Sequence, residues 1–442
     1  MKLTLLCLLL TPWLLWGTEK SNILIMVADD LGYADLDCQG VQDVKTPHID
    51  SIARNGIRFT SGYVSAPVCS PSRAGLLTGR YQTRFGHELN PPGADRSPFG
   101  LPVTEKTAAH HFKEAGYITG HVGKWHLGNP HTTAFHPNAR GFAESVWFPG
   151  QKKLPSLTFY RNGQQGKCED RYVDEAIARE AAAFAVNHRN EPWFLYVAFL
   201  TPHQPVDTPP GAETPFAGIA DKERRKFAAA LTLLDGSVGT ILKALRETGQ
   251  EERTMIVFFS DNGAPPKNGS RNTPLRGGKD TTWEGGLRIP FVMQWKNVLP
   301  AGRVVDAPVI TLDLLPTAFA AANIRVSGNA RFDGVNLLPF LTGKAQEPPH
   351  AALFWRYGEQ MAVRAGDWKL TRALDATVMK TGLFHLCEDP GEKHDLSAGQ
   401  PEKLKALQKL WDDWSAANVP PLWTRESVED EVKPATWKLK KR

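Results

Sequence analysis

Five short segments of this chain carry residues able to act on an anionic ester. Asp29-Asp30 and Asp261-Asn262 are pairs of hard oxygen donors, each placed just after a short apolar run. Such donors suit Ca2+ or Mg2+ better than zinc. Either pair alone reads as a turn or a helix cap; together, and beside the cysteine motif below, they point to a bound cation. Lys124 and His126 lie in a segment framed by Gly116 and Gly128. At that spacing on extended backbone the two side chains share a side. An ammonium there holds an ester oxygen, and an imidazole moves a proton near neutral pH. Lys279 follows Gly277-Gly278, a pair that permits close backbone approach. Outside this company Lys279 would be an exposed lysine on a glycine-rich loop. Finally, Cys69-Ser70-Pro71-Ser72-Arg73 leads into Ala74-Gly75-Leu76-Leu77-Thr78-Gly79-Arg80, a pattern that folding needs alone do not explain.

The elements that must position these residues are legible in part. Asn22–Ala28, Trp193–Leu200 and Met255–Phe259 are short apolar runs rich in β-branched or aromatic residues. They read as strands buried on both faces. They stop at Asp29-Asp30, at Thr201-Pro202-His203 and at Ser260-Asp261-Asn262. Ligand sites in open α/β sheets lie beyond the carboxyl ends of the strands, so one convergent site is expected. Helices are expected over 47–55, capped by Thr46 and stopped by Gly56, and over 104–115, 172–188, 221–248 and 312–322. This alternation predicts an α/β fold with a mostly parallel central sheet flanked by helices. Character changes at Pro348-Pro349. Short strands at Ala362–Arg364, Trp368–Arg372 and Leu383–Leu386, then a helix over 402–418, predict a small α+β subdomain. The expected division is a signal peptide at 1–17, a catalytic domain at 18–347 and a C-terminal subdomain at 348–442. The Pro-rich loops Asn90–Gly93 and Thr201–Pro215 are expected to line the site.

The cysteine motif resembles the signature of the type I sulfatases, members of the alkaline-phosphatase-like superfamily, and 116–128 resembles their second signature. The glycine-flanked Lys279 matches a family lysine, and the segments occur in the family's order. The stretch Leu383–Leu396, with Asp389-Pro390-Gly391-Glu392, looks like the family's C-terminal domain. The likeness is to the arylsulfatase and N-acetylgalactosamine-6-sulfatase branch.

That resemblance implies a sulfuric ester hydrolase with an alkaline-phosphatase-like fold. It implies that Cys69 is oxidised to formylglycine by a formylglycine-generating maturation enzyme. The hydrated aldehyde, with a cation held by Asp29, Asp30, Asp261, Asn262 and residue 69 itself, attacks sulfur. Lys279 and His203 hold the sulfate and assist the leaving oxygen. His126 takes a proton from the remaining hydroxyl, and Arg73 and Lys124 stabilise charge. A serine at position 69 would stall as a sulfate ester, lacking the second hydroxyl that drives release.

Bulk composition bounds the rest. With 442 residues, 41% hydrophobic and 22% charged, the chain has a soluble globular profile. Its net charge of +5 fits an anionic substrate, and no nucleic-acid partner is expected. The only long charge run, Lys438–Arg442, reads as a solvated tail. Met1-Lys2 followed by apolar Leu3–Trp16 reads as an export signal, too short for a comfortable membrane span. A periplasmic or secreted location is therefore expected. Conversion of Cys69 would leave Cys38, Cys168 and Cys387, enough for one disulfide. Asn268-Gly269-Ser270 is a glycosylation sequon. A sulfated carbohydrate is the expected substrate, with His87, Glu88 and Trp283 as candidate contacts beside Trp125. These four read equally as core residues. The competing readings are a phosphodiesterase or phosphonate hydrolase of the same superfamily, and a catalytically silent glycan-binding homologue.

Overall fold

The computed structural model describes residues 20–92, 97–149, 157–326 and 330–424. The expected signal peptide, Gly93 and the basic tail lie outside these residues. Among the described residues ten strands form the main sheet. Its central part is parallel: Thr254–Ser260, Asn22–Ala28, Trp193–Ala198, Ile118–Gly123 and Glu144–Trp147 lie in that order. Antiparallel strands Leu157–Arg161 and Gln164–Cys168 extend one edge. On the other, Phe291–Gln294 pairs antiparallel with both Thr254–Ser260 and Ile57–Phe59.

Period-two alternation explains why the central strands are apolar throughout. In Asn22–Ala28, Ile23, Ile25 and Val27 face one core layer, while Leu24, Met26 and Ala28 face the other. The first layer is closed by helices Cys69–Thr78, Ala108–Glu114 and Leu314–Ala321. Helices Pro47–Arg54, Val173–Asn187 and Lys222–Glu247 close the second. Among the described residues Lys222–Glu247 alone is long and apolar enough to cross a membrane, yet 67% of its most apolar window is buried in this layer. It is a core helix.

Residues 353–385 form a four-stranded antiparallel sheet, covered by helix Pro401–Ala416. Its first strand, Leu353–Tyr357, and the edge hairpin at 157–168 were not expected from sequence. The anticipated helix over 104–115 begins only at Ala108, with Thr107 in a capping box with His110. Thr46 does precede the helix at 47–54, but its hydroxyl bonds Asp50 at 3.0 Å instead of capping the backbone. Among the described residues no disulfide forms, and Cys38, Cys69, Cys168 and Cys387 are all free. Asn268 of the sequon is fully buried and offers no accessible site for a glycan.

Candidate active site

Parallel register brings the chemistry to one end of the sheet. Ala28 lies opposite Ser260, Val27 opposite Ala198, and Ala198 opposite Gly123. The chain therefore leaves four adjacent strands side by side, at Asp29, Phe199, Asp261 and Lys124. Backbone bonds continue past the strand ends, from Asp29 N to the Thr201 carbonyl and from Asp261 N to that of Ala28, both 3.1 Å.

Cys69 is the first residue of helix Cys69–Thr78. Pro71 is tolerated because a first-turn nitrogen has no intrahelical acceptor. Gly79 ends the helix at φ +66°, donating to the Gly75 carbonyl at 2.8 Å, a left-handed cap that glycine adopts without strain. The motif is thus both a short, well-terminated helix and a carrier for Cys69 at its positive end.

Around Cys69 the charges interlock. Its thiol lies 3.5 Å from Asp29 Oδ1 and 3.2 Å from Lys279 Nζ. Lys279 also holds Asp30 at 2.7 and 2.9 Å, and Lys124 holds both oxygens of Asp29 at 2.9 and 2.7 Å. The fully buried Arg73 donates to Asp261 at 2.7 Å and to the Tyr196 hydroxyl at 3.2 Å. Asn262 Nδ2 donates to Asp30 Oδ1 at 2.6 Å. Asp30 sits at φ +72°, a strained backbone held by its N–H bond to Asp261 Oδ1. Burial, reinforced by Asp261, pushes the Cys69 thiol above its usual range. Burial alone would raise Asp29, yet Lys124, His203 and Arg73 hold its carboxyl well below the ordinary range.

Ligand atoms of Asp29, Asp30, Cys69 and Asp261 all lie within 4.8 Å of one another. Opposed Ca2+ ligands at about 2.4 Å each span a similar distance. Asn262 Oδ1 is buried with no hydrogen-bond partner among the described residues. An orphaned carbonyl oxygen beside three carboxylates is the donor set a hard cation requires. The residues fit the implied ion.

Lys124 and His126 require a correction. They are not on an extended segment, because the strand ends at Gly123 and His126 sits at φ +57°. Lys124 nevertheless reaches Asp29. Burial first, then the charges of Lys124 and Arg73, keeps His126 well below its ordinary pKa. His203 is half exposed; its Nδ1 bonds the Gln204 carbonyl at 2.6 Å, leaving Nε2 3.7 Å from Asp30.

Comparison with known proteins decides what this arrangement belongs to. The Sulfatase family model matches residues 21–324. The chain belongs to the sulfatase family. It is 32% identical to human N-acetylgalactosamine-6-sulfatase, over 89% of this chain and 84% of that protein. Against human arylsulfatase A it is 33% identical, over 88% and 86%. Among solved structures, Ps i-CgsB in complex with k-i-k-neocarrahexaose superposes with a TM-score of 0.87 at 34% identity. That match covers 95% of this chain and 97% of the other. The protein is thus an enzyme, a sulfuric ester hydrolase, and the phosphodiesterase reading gains no support.

Not every candidate reaches the sulfatase's open surface. His87 is fully buried and bonds Ser70 Oγ through Nε2 at 2.7 Å, while its ring packs on Trp423. Trp283 is buried against Phe384, and its indole N–H donates to the Leu374 carbonyl at 3.0 Å. Trp125 is likewise buried, donating to the Phe135 carbonyl at 2.7 Å. All three side chains are buried and hydrogen-bonded within the protein. Glu88 is buried and ion-paired with Arg356, yet it borders a cavity of about 320 Å3. Leu89, Tyr357, Gln360 and Trp423 also line this cavity.

Sequence reasoning missed several supports. Tyr196 was hidden inside an apolar strand. Asn90, whose Oδ1 accepts the Ser70 N–H at 2.9 Å, was noticed only as part of a Pro-rich loop. Nothing marked Gln360 or Lys369, because their meaning depends on a contact between distant segments.

Proposed function

We propose that this sulfatase removes sulfate from a sulfated carbohydrate, using a formylglycine made from Cys69 and a cation held by Asp29, Asp30, Asp261 and Asn262. The observation that carries the reading is the meeting of Cys69 with three carboxylates and two lysines at one sheet end. The cation, Ca2+ or alternatively Mg2+, supplies Lewis acidity toward a sulfate oxygen. The hydrated aldehyde supplies two hydroxyls at position 69, one to attack sulfur and one to drive release of sulfate.

The chain's own residues do the remainder. Arg73 is fully buried and ion-paired, so its charge is fixed in place before substrate arrives. Lys124 and Lys279 each sit on a carboxylate. In the loaded site their ammonium groups turn to the sulfate oxygens and to the leaving oxygen. His203 directs Nε2 toward the site and gives its proton to the departing alcohol. His126, kept neutral by its surroundings, takes the proton of the remaining hydroxyl at position 69.

A carbohydrate is favoured by the relatives named for N-acetylgalactosamine-6-sulfate and by the neighbour bound to a neocarrahexaose. The cavity bordered by Glu88 and Gln360 lies beside the residues that bond Asp280, next to Lys279, and is the candidate room for the sugar. The apolar N-terminus supports export, and a formylglycine-generating enzyme is the required maturation partner. The test is sulfate release by matured protein from a panel of sulfated oligosaccharides, with phosphate diesters in parallel. Release from the sulfated sugars alone supports the proposal. Preferential phosphodiester cleavage, or sugar binding without release, contradicts it.

A further inference from the structure

Lys279 stands on a loop that the catalytic domain does not hold alone. Asp280, Thr282, Trp283 and Glu284, just after it, are each bonded to the C-terminal subdomain. The Tyr357 hydroxyl donates to Asp280 Oδ1 at 2.7 Å. Gln360 Nε2 donates to the Asp280 carbonyl at 2.7 Å, while its Oε1 accepts from Thr282 N at 3.3 Å and Leu374 N at 2.9 Å. Glu284 N donates to Glu392 Oε2 at 2.7 Å. Lys369 Nζ lies 2.9 Å from both Glu284 Oε1 and Glu392 Oε1, and all three side chains are wholly buried.

This is a costly way to attach a subdomain. Buried ion pairs are often no more stabilising than apolar residues of similar volume. What such a network does supply is a defined geometry. The loop needs one, because Asp280 sits at φ +69°, a conformation a non-glycine residue holds only under constraint. The single amide of Gln360 holds the carbonyl of that strained residue and the N–H of Thr282, fixing the backbone just after Asp280.

We propose that Gln360 and Tyr357, backed by the Glu284–Lys369–Glu392 triad, are positioning residues that aim Lys279 at the reacting sulfate from the C-terminal subdomain. This rests on the role given to Lys279 above. It makes the small subdomain part of the catalytic apparatus rather than a cover for the sheet.

A double-variant cycle on the matured enzyme tests it, with an aryl sulfate as substrate. Its good leaving group leaves turnover measurable without Lys279. The variants are Gln360→Met, Lys279→Ala and the two combined, with thermal midpoints read alongside. A misplacement of about 1 Å costs up to about a hundredfold in rate. Gln360→Met is therefore expected to lose about tenfold or more in kcat, and less than about twofold once Lys279 is absent. Equal losses in both backgrounds, or no loss in either, overturn the inference. If Gln360→Met fails to fold, Tyr357→Phe removes one hydroxyl and is held to the same pattern. Full activity in Lys279→Ala would instead overturn the role of Lys279 itself, and the inference with it.

Discussion

At the scale of single residues, the proposed mechanism needs a side chain with two oxygens at position 69, whereas the genetic code supplies a thiol. Cys69→Ser is expected to accept sulfate from substrate once and then stop, because a lone hydroxyl has nothing to expel it. Intact mass should show one sulfate retained per chain, and steady turnover by that variant would contradict the account. The orphaned carbonyl of Asn262 argues for a cation that also stabilises the fold. A cation at a hundred times its Kd adds about 2.7 kcal/mol by mass action. Chelation should therefore lower the thermal midpoint, and Ca2+ should restore it. Asn262→Ala should blunt that recovery. These residues were legible because each is chemically expensive and stands where a strand stops. His87 and Trp283 stayed open because a histidine or tryptophan near a motif looks the same in sequence whether it lines a pocket or fills a core; both are buried.

At the scale of elements, adjacent strand ends act as one platform. The apolar runs at 22–28, 193–200 and 255–259 do carry strands, Asn22–Ala28, Trp193–Ala198 and Thr254–Ser260, because buried parallel strands are apolar on both faces. What failed was local. The run through Lys124 and His126 looked extended, but the backbone turns at Gly123, and their proximity comes from loop geometry. Two loops of the platform pack backbone against backbone at Gly263, where an added Cβ would lie 1.7 Å from the Gly285 carbonyl oxygen. Gly263→Ala must force apart the loop after Asp261-Asn262 and the turn at Glu284–Leu287. Overpacking of this kind costs about 1–3 kcal/mol. We expect a lowered thermal midpoint together with a fall in kcat, since cation donors and the Lys279 loop shift together. An unchanged kcat would show that the two loops are not coupled to the chemistry.

At the scale of the whole molecule, stability should depend on acid through buried imidazoles, His87 and His121 among them. Burial lowers His87 from 6.5 to about 3, and burial likewise lowers His121 to about 3. At these two histidines the unfolded chain therefore binds up to two more protons than the native one between these values. Stability is complete above the unfolded pKa and falls as the pH drops toward 3. Each histidine contributes about 1.4 kcal/mol per pH unit in that window. Urea unfolding at about pH 7 and about pH 5 should show His87→Gln losing about 2 kcal/mol less than the parent chain. Equal losses would mean that His87 is protonated in the native state. The sequence pattern changes near Pro348-Pro349, shortly before the four-stranded sheet begins at Leu353, whereas the ion-paired seam leaves no such mark. It unites Glu284 with Lys369 and Glu392, residues far apart in the chain and ordinary on their own.

The central claim is that Cys69 becomes an aldehyde. Mass spectrometry of the tryptic peptide Phe59–Arg73 tests it most directly, on active protein produced with a formylglycine-generating enzyme. The account predicts loss of the thiol and an aldehyde that a hydrazide reagent traps, in proportion to sulfate-releasing activity. Full activity from protein whose Cys69 remains an unmodified thiol would contradict it.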